Sequence, residues 1–443
     1  MAEKRLQISP GRVLLFSYLF IIAAGTFLLS LPQSRLISIP LIDLIFTSAS
    51  CTCVTGIKVV PLPYFTIFGQ SIILCLIQLG GIGLMTLSLF FVSLFLNLGM
   101  ATQIMAGEMF EFRWSRIKTF VAMIVSTTFI IELLATIYLY FPFREMFSPK
   151  TALFYAFFHA VSAFCNAGLS PLEGGLQPFA NNTPFMLVIA LLVFIGSIGF
   201  VVWLEVGNKI KRFFLKAKHQ SFSLHTKIVL MTTGIILAAG TTLTWLLEQN
   251  NSLKDVSLFK ALFISFFNTI SLRSAGFELF DIATLMPATI LLFLILMYIG
   301  GSPGSMSGGI KTTTLALFVT TMATIVRNRD EVELFGRRIP KDQIYRAISI
   351  IVLSVGWIFL ATFALLVVEH DFNFIQVFFE VVSALSLCGL PTKISTSFSF
   401  FGKVVIIITM LLGRVGSLTL VFAFWARKKK HLYHYPEERV VIG

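Results

Sequence analysis

Phe46-Thr47-Ser48-Ala49-Ser50-Cys51-Thr52-Cys53-Val54-Thr55-Gly56 decides how the rest of this chain is read. An apolar, aromatic lead-in runs into small and hydroxylated side chains and stops at a glycine. A spanning helix needs about 20 apolar residues, and this stretch is too short and too polar to be one. It lies between two long apolar segments, Val13–Leu31 and Phe68–Leu96. A half-helix that enters a bilayer and returns as extended backbone fits both facts. Such backbone survives at membrane depth only where protein buries it or where it lines a water-filled path.

The surrounding composition agrees. The 443 residues are 56% hydrophobic and only 12% charged, with a mean hydropathy of +0.89. A soluble domain carries about a quarter charged residues, so the chain reads as an integral membrane protein. The net charge of +13 does not point to nucleic acid, because the basic residues stand in short runs between apolar segments, where they orient spanning helices. Val13–Leu31 follows basic residues as a signal peptide would. No Ala-x-Ala-like cleavage site follows, and the segment reads as a retained helix. The five cysteines lie in or beside apolar segments and make no secreted disulfide framework.

The opening stretch recurs. Gly56, Gly168, Gly276 and Gly389 stand roughly 110 residues apart, the mark of an internal repeat. Each is preceded, at one fixed distance, by a phenylalanine: Phe46, Phe158, Phe266 and Phe379. Ser50, Ser162 and Ser383 also keep a fixed distance, and Ser271 is displaced by one. An apolar residue follows every glycine. Apolar helices are expected before each loop (Val13–Leu31, Ile117–Tyr140, Thr226–Leu247, Ile344–Val368) and after it (Phe68–Leu96, Pro184–Val206, Pro287–Val319, Lys403–Trp425). The following helices carry glycine pairs, Gly80/Gly83, Gly196/Gly199, Gly301/Gly304 and Gly413/Gly416, which let helices approach closely.

The fold class expected is thus an all-α polytopic membrane protein of four helix–pore loop–helix (M1-P-M2) repeats, pseudo-fourfold around one axial pore. The divisions are a cytoplasmic N-terminus (1–12), repeats at 13–100, 101–216, 217–330 and 331–427, and a cytoplasmic tail (428–443). Most of the 34 basic residues fall at the termini or between repeats, as in Arg327, Arg329, Arg337 and Arg338. The positive-inside rule then puts both termini in the cytoplasm and every loop outside. All four units share one orientation, unlike the inverted repeats of secondary transporters.

Four extended segments facing one axis would present successive rings of carbonyl oxygens, which suit a dehydrating alkali cation. Glycine at the last position allows a carbonyl orientation that a β-carbon hinders. Thr52-Cys53-Val54-Thr55-Gly56 is similar to the Thr-Val-Gly stretch of potassium-channel filters. More specifically, the chain resembles the Trk/Ktr/HKT superfamily of cation transporters, most closely its KtrB-type membrane subunits, over nearly its full length. The matching residues are Thr52-Cys53-Val54-Thr55-Gly56, Asn166-Ala167-Gly168, Arg273-Ser274-Ala275-Gly276, Gly300–Thr314, Gly413-Arg414-Val415-Gly416 and Phe222–Lys227.

The resemblance implies potassium uptake at the bacterial plasma (inner) membrane, with sodium as a modulator in some members. It also implies a homodimer with one pore per subunit, and a cytosolic KtrA-type ring of nucleotide-binding subunits. The nucleotide then belongs to the ring. No cofactor is expected on this chain, and the other contacts are with membrane lipid. The selectivity filter, the potassium site, is assigned to Thr52, Cys53, Val54, Thr55 and Gly56; Asn166, Ala167 and Gly168; Ser274, Ala275 and Gly276; and Leu387, Cys388 and Gly389. Glycine in all four filters resembles the potassium-selective pattern, whereas serine in the first occurs in sodium-favouring plant relatives. Sodium-selective or poorly selective transport is the alternative. Lys58, just outside the first filter, departs from the family pattern.

Gly300-Gly301-Ser302-Pro303-Gly304-Ser305-Met306-Ser307-Gly308-Gly309-Ile310-Lys311 breaks the third unit's second helix. A phosphate loop is excluded, because Ile310 separates glycine from Lys311 and no strand precedes it. By the resemblance, it is an intramembrane gating loop below the filter (residues 300–314), and its glycines predict a mobile segment.

Arg414 has two compatible readings, a partner for loop or helix-end carbonyls and a positive barrier on the ion path. Arg273 is expected to brace the third filter, and Glu132 to pair with a buried cation. Cys51, Cys53, Cys165 and Cys388 lack zinc-site spacing and read as packing behind the filter. His159 reads as a hydrogen-bonded pore-helix residue. No catalytic cluster stands out, so an enzyme is not expected.

Overall fold

The computed structural model describes residues 10–82, 117–216, 221–279, 282–390 and 394–416. The expected tail, Gly83 and the connection between the first two units lie outside the described residues.

The described chain is helical throughout, apart from one short hairpin. The first unit comprises α1 (Pro10–Ser30), α2 (Leu41–Cys53) and α3 (Ile67–Ile82). The second comprises α4 (Ile117–Met146), α5 (Pro149–Phe164), α6 (Thr183–Ile198) and α7 (Phe200–Phe214). In the third are α8 (Leu224–Glu248), α9 (Leu258–Leu272), α10 (Pro287–Tyr298) and α11 (Thr312–Val326). The hairpin, β1 (Glu333–Leu334) and β2 (Arg337–Arg338), precedes α12 (Lys341–Val368), α13 (Phe374–Ser386) and α14 (Phe400–Val415).

Helix starts follow local chemistry. Proline opens α5 and α10, where its missing N–H costs nothing. The side chains of Asn182, Ser223 and Ser399 accept from the backbone N–H of Phe185, Thr226 and Gly402, which satisfies first-turn donors.

Three described helices, Ala122–Met146, Leu224–Glu248 and Lys341–Val368, are long and apolar enough to cross a membrane. Their outward faces keep large apolar side chains exposed, among them Leu133, Met231, Phe359 and Phe363. Lipid would cover such faces, and a soluble monomer rarely leaves them bare.

One helix expected to be continuous is broken, and the third unit's second helix is interrupted where the glycine-rich stretch predicts it. The segment read as Pro184–Val206 turns by 104° between α6 and α7. Gly199, with φ +94°, makes the turn, and a β-carbon there would meet the Pro303 carbonyl and the Ser302 hydroxyl at 2.7 Å. The segment read as Pro287–Val319 is helical only to Tyr298 and resumes at Thr312.

Each short helix packs on the long helix before it: α2 on α1, α5 on α4, α9 on α8 and α13 on α12. Each following helix also reaches the short helix of the next unit. Thus α3 meets α5, α6 meets α9, α10 meets α13, and α14 returns to α2. These contacts run in a closed order. Beside that return contact, the Lys403 ammonium and the Asp43 carboxylate pair at 2.6 Å.

Candidate functional site

The four repeated glycines come together. A β-carbon on Gly56 would collide with the Ala167 carbonyl, one on Gly168 with that of Ala275, one on Gly276 with that of Cys388, and one on Gly389 with that of Thr55. The segments therefore touch in ring order, each glycine against the residue before the next glycine. All four have positive φ: +87°, +63°, +63° and +74°. Only glycine adopts that conformation without penalty, and here it also has no room for a side chain.

Each segment begins where a short helix ends. Val54, Asn166 and Leu387 turn the chain with φ of 60°, 61° and 56°. The N–H of Thr55, Ala167 and Cys388 then donates to Ser50, Ser162 and Ser383, closing the helix end in a left-handed cap. The third unit differs. Arg273 caps α9 with helical angles, and Ala275 and Gly276 both donate to the Ser271 carbonyl.

The repeated serines also staple the far side. The Ser50 hydroxyl donates to Ile57 at 2.8 Å, Ser162 to Leu169 at 2.7 Å, and Ser271 to Phe277 at 2.5 Å. In each case the acceptor is the residue just past the glycine, so the displaced serine reaches the same place. The Ser383 hydroxyl makes no such bond.

Thr52 and Cys53 belong to the last turn of α2, which narrows the extended backbone of the first segment to Val54–Gly56. Asn166, Ala167, Ser274, Ala275, Leu387 and Cys388 are all buried. Thr52 Oγ1, Thr55 Oγ1, both amide atoms of Asn166 and Ser274 Oγ take no protein hydrogen bond. Orphaned buried polar atoms are uncommon and call for a cause; others lie elsewhere on the helices, as at Thr128 and Thr233.

Residues 300–311 form a hydrogen-bonded loop against these segments. Gly300 N–H donates to Ile310, Ile310 to Tyr298, and Thr312 to Gly301. Ser302 and Met306 N–H donate to Ser197 and Gly196, and Phe200 N–H donates back to Gly304. The Ser302 hydroxyl also reaches the Ile198 carbonyl. Within the loop, the Ser305 hydroxyl donates to the Ser302 carbonyl at 2.6 Å and lies 2.7 Å from the Ser307 hydroxyl. Lys311 Nζ donates to Ser307 at 2.6 Å. These bonds tether the loop to the second unit and to itself. Gly304 and Gly309 serve left-handed turns, and Gly308 lies against Leu387, leaving no space for a β-carbon.

Arg414 ties this loop to the first unit. Its Nη1 donates to Met306 at 2.6 Å, its Nη2 to the Gly80 and Gly81 carbonyls, and its Nε to the Tyr18 hydroxyl at 3.3 Å. Arg273, buried, donates to the Gly300 carbonyl at 3.2 Å. Among the described residues, no cation pairs with Glu132 as expected. That side chain accepts from Gln78 at 3.0 Å, with the Cys165 thiol 4.0 Å away. The Cys165 thiol donates to the other end of the Gln78 amide at 3.4 Å.

Cys51, Cys53, Cys165 and Cys388 are buried. No group of three or more metal-ligating residues occurs among the described residues. His159 Nδ1 lies 2.7 Å from the Tyr155 carbonyl and donates to it, so in the neutral ring Nε2 accepts from Ser170 at 2.9 Å. Gly199, Gly80, Gly81, Gln78 and Tyr18 were not assigned to the site from sequence. The glycine pairs were a signal for Gly80 and Gly199, and that signal reads first as helix packing.

The sequence profile of the cation transport protein family (TrkH) matches residues 18–432. The chain belongs to this family. Among its relatives, the Ktr system potassium uptake protein B of Bacillus subtilis is 33% identical, covering 99% of this chain and 98% of its own. The protein of the same name from Vibrio alginolyticus is 32% identical over 98% and 94%. The potassium/sodium uptake protein NtpJ of Enterococcus hirae is 30% identical over 96% of each. The crystal structure of the potassium transporter TrkH from Vibrio parahaemolyticus superposes with a TM-score of 0.74 at 18% identity, covering 96% of this chain and 86% of that one, and so shares the fold. This member of the TrkH family is a helical, multi-pass membrane protein.

Proposed function

We propose that the chain takes up potassium through one pore whose filter is the ring of Val54–Gly56, Asn166–Gly168, Ser274–Gly276 and Leu387–Gly389. The observation that carries this reading is the cyclic contact of the four positive-φ glycines, each against the carbonyl of the next segment. The four units are then M1-P-M2 repeats in pseudo-fourfold order, and α2, α5, α9 and α13 end where the ion would pass. Helix C-termini carry partial negative charge. Together with carbonyl oxygens they replace the hydration shell of a monovalent cation. Thr52, Thr55, Asn166 and Ser274 supply further buried polar atoms around that path.

The 300–311 loop closes the path beneath the filter, with Arg414 as its latch and a positive barrier. Its bonds to Gly196, Ser197 and Arg414 favour gating over mere packing, because they join three units at one place. The membrane potential drives uptake, at about 2.3 kcal/mol per charge per 100 mV. In this reading the protein is a homodimer in the plasma membrane with both termini cytoplasmic, regulated by a cytosolic nucleotide-binding ring of the Ktr kind and needing no cofactor of its own. A sodium-linked alternative draws on the relative named for potassium and sodium, but glycine in all four segments favours potassium. Expression in a bacterium lacking its own potassium uptake tests the reading: growth at limiting potassium is expected, and no rescue by a well-inserted protein contradicts it.

A further inference from the structure

Glu132 and Gln78 serve none of the parts assigned so far, yet both reach the start of the second filter segment. Glu132 stands on α4, long and apolar enough to cross a membrane, and its side chain is completely buried. Ionisable groups inside a membrane are costly and rare, and they mark function. Gln78, on α3 of the first unit, bridges this carboxyl to Cys165. Its Nε2 donates to Glu132 Oε2 at 3.0 Å, and its Oε1 accepts from the Cys165 thiol at 3.4 Å. Cys165 Sγ lies 4.0 Å from Glu132 Oε1, which closes the three side chains into a ring. Gly81 leaves room for the thiol, since a β-carbon there would meet Cys165 Sγ at 2.5 Å.

Cys53, Cys165, Arg273 and Ser386 each stand three residues before a filter glycine. In the third segment that position carries the Arg273 brace to Gly300; in the second it carries the thiol. Two residues before the first glycine of each helix pair, Gln78 has the counterparts Phe194, Ile299 and Leu411. The same place in the other units takes apolar side chains, so helix packing alone does not call for a glutamine.

We propose that Glu132 and Gln78 are positioning residues for potassium selectivity, their hydrogen-bonded ring with Cys165 holding the second filter segment, Asn166–Gly168, in place. The inference rests on the pore reading above and adds to it two residues that never touch the ion. Cys165 is the last residue before the left-handed turn at Asn166, so a shift of its side chain passes to the carbonyls of Asn166 and Ala167. The Ala167 carbonyl is the one against which Gly56 packs, and the displacement therefore reaches the first segment too. Discrimination between alkali cations depends on the placement and field of such carbonyls.

Reversal potentials of the purified protein in liposomes, under opposed potassium and sodium gradients, test the ring. Glu132→Leu and Gln78→Leu each remove one partner and leave another unpaired, an effect of roughly tenfold on an equilibrium. Each should lower the potassium-over-sodium permeability ratio by about that factor. Glu132→Gln keeps an acceptor for Gln78 and a donor toward Cys165, and should retain the wild-type ratio. The double leucine variant should lose no more than either single one, because the residues act as one unit. A wild-type ratio in well-folded Glu132→Leu or Gln78→Leu overturns the proposal, as do losses that simply multiply in the double variant. A loss in Glu132→Gln as large as in Glu132→Leu also overturns it, since the carboxyl charge and not the ring would then be acting. If Glu132→Leu does not fold, Gln78→Leu and Glu132→Gln decide between these outcomes. Selective wild-type uptake with indifferent variants sinks this inference alone. A wild-type protein that carries no potassium sinks the pore reading with it.

Discussion

At the scale of single residues, the account rests on four glycines that combine positive φ with a neighbouring carbonyl where a β-carbon would go. Gly56→Ser forces a side chain into both constraints. The left-handed conformation alone costs roughly 1–2 kcal/mol, which a membrane protein of ordinary stability survives, but the Ala167 carbonyl must move. Potassium-over-sodium preference should fall in a protein that still purifies as one species; an unchanged preference counts against Gly56 as a filter residue. Arg414 is the second such residue. A hydrogen bond from a charged group contributes about 1.5–3 kcal/mol, and every 1.4 kcal/mol shifts an equilibrium about tenfold. Arg414→Ala should thus release Met306 and raise maximal potassium flux by roughly tenfold, selectivity remaining. An equal flux in well-folded protein makes Arg414 a structural tie only. These residues were legible in the sequence for a physical reason. A backbone that demands glycine, or a charge set in an apolar helix, leaves its mark on the residue itself.

Elements were legible where their cause is local and obscure where it is tertiary. The four short helices and their capping serines follow from apolar runs that end in hydroxylated residues. Even the displaced Ser271 reaches the same acceptor position as Ser50 and Ser162. The 104° turn at Gly199 was not legible, because the groups packed against that glycine, Ser302 and Pro303, come from the loop of another unit. The Gln78 partner of Glu132 was not legible for the same kind of reason, since it comes from the first unit. The loop at residues 300–311 was legible as a break but not as a tethered one, its bonds running to Gly196, Ser197 and Arg414. Deleting Ser305–Gly309 removes the Met306 and Ser307 carbonyls that Arg414 and Lys311 hold. Maximal flux should rise without loss of selectivity, because Val54–Gly56, Asn166–Gly168 and Ser274–Gly276 keep their own serine staples. If the deletion and Arg414→Ala both leave flux unchanged, the segment is a packing feature and not a gate.

The whole molecule presents exposed apolar helix faces, a closed order of inter-unit contacts and a basic hairpin, Arg337–Arg338, outside the helical body. The proposed assembly adds a soluble nucleotide-binding ring on the basic side. Such a protein should co-purify from the native membrane, and nucleotide should alter flux when it is present. Full activity of the isolated chain, indifferent to nucleotide and added partner, would mark an unregulated transporter. The central claim, that one chain makes a potassium-selective pore, has a more direct test. Purified protein in liposomes loaded with potassium, and separately with sodium, should develop a membrane potential close to the imposed potassium gradient and far from the imposed sodium gradient. Equal responses to the two gradients, or none to either from correctly folded protein, would contradict the account.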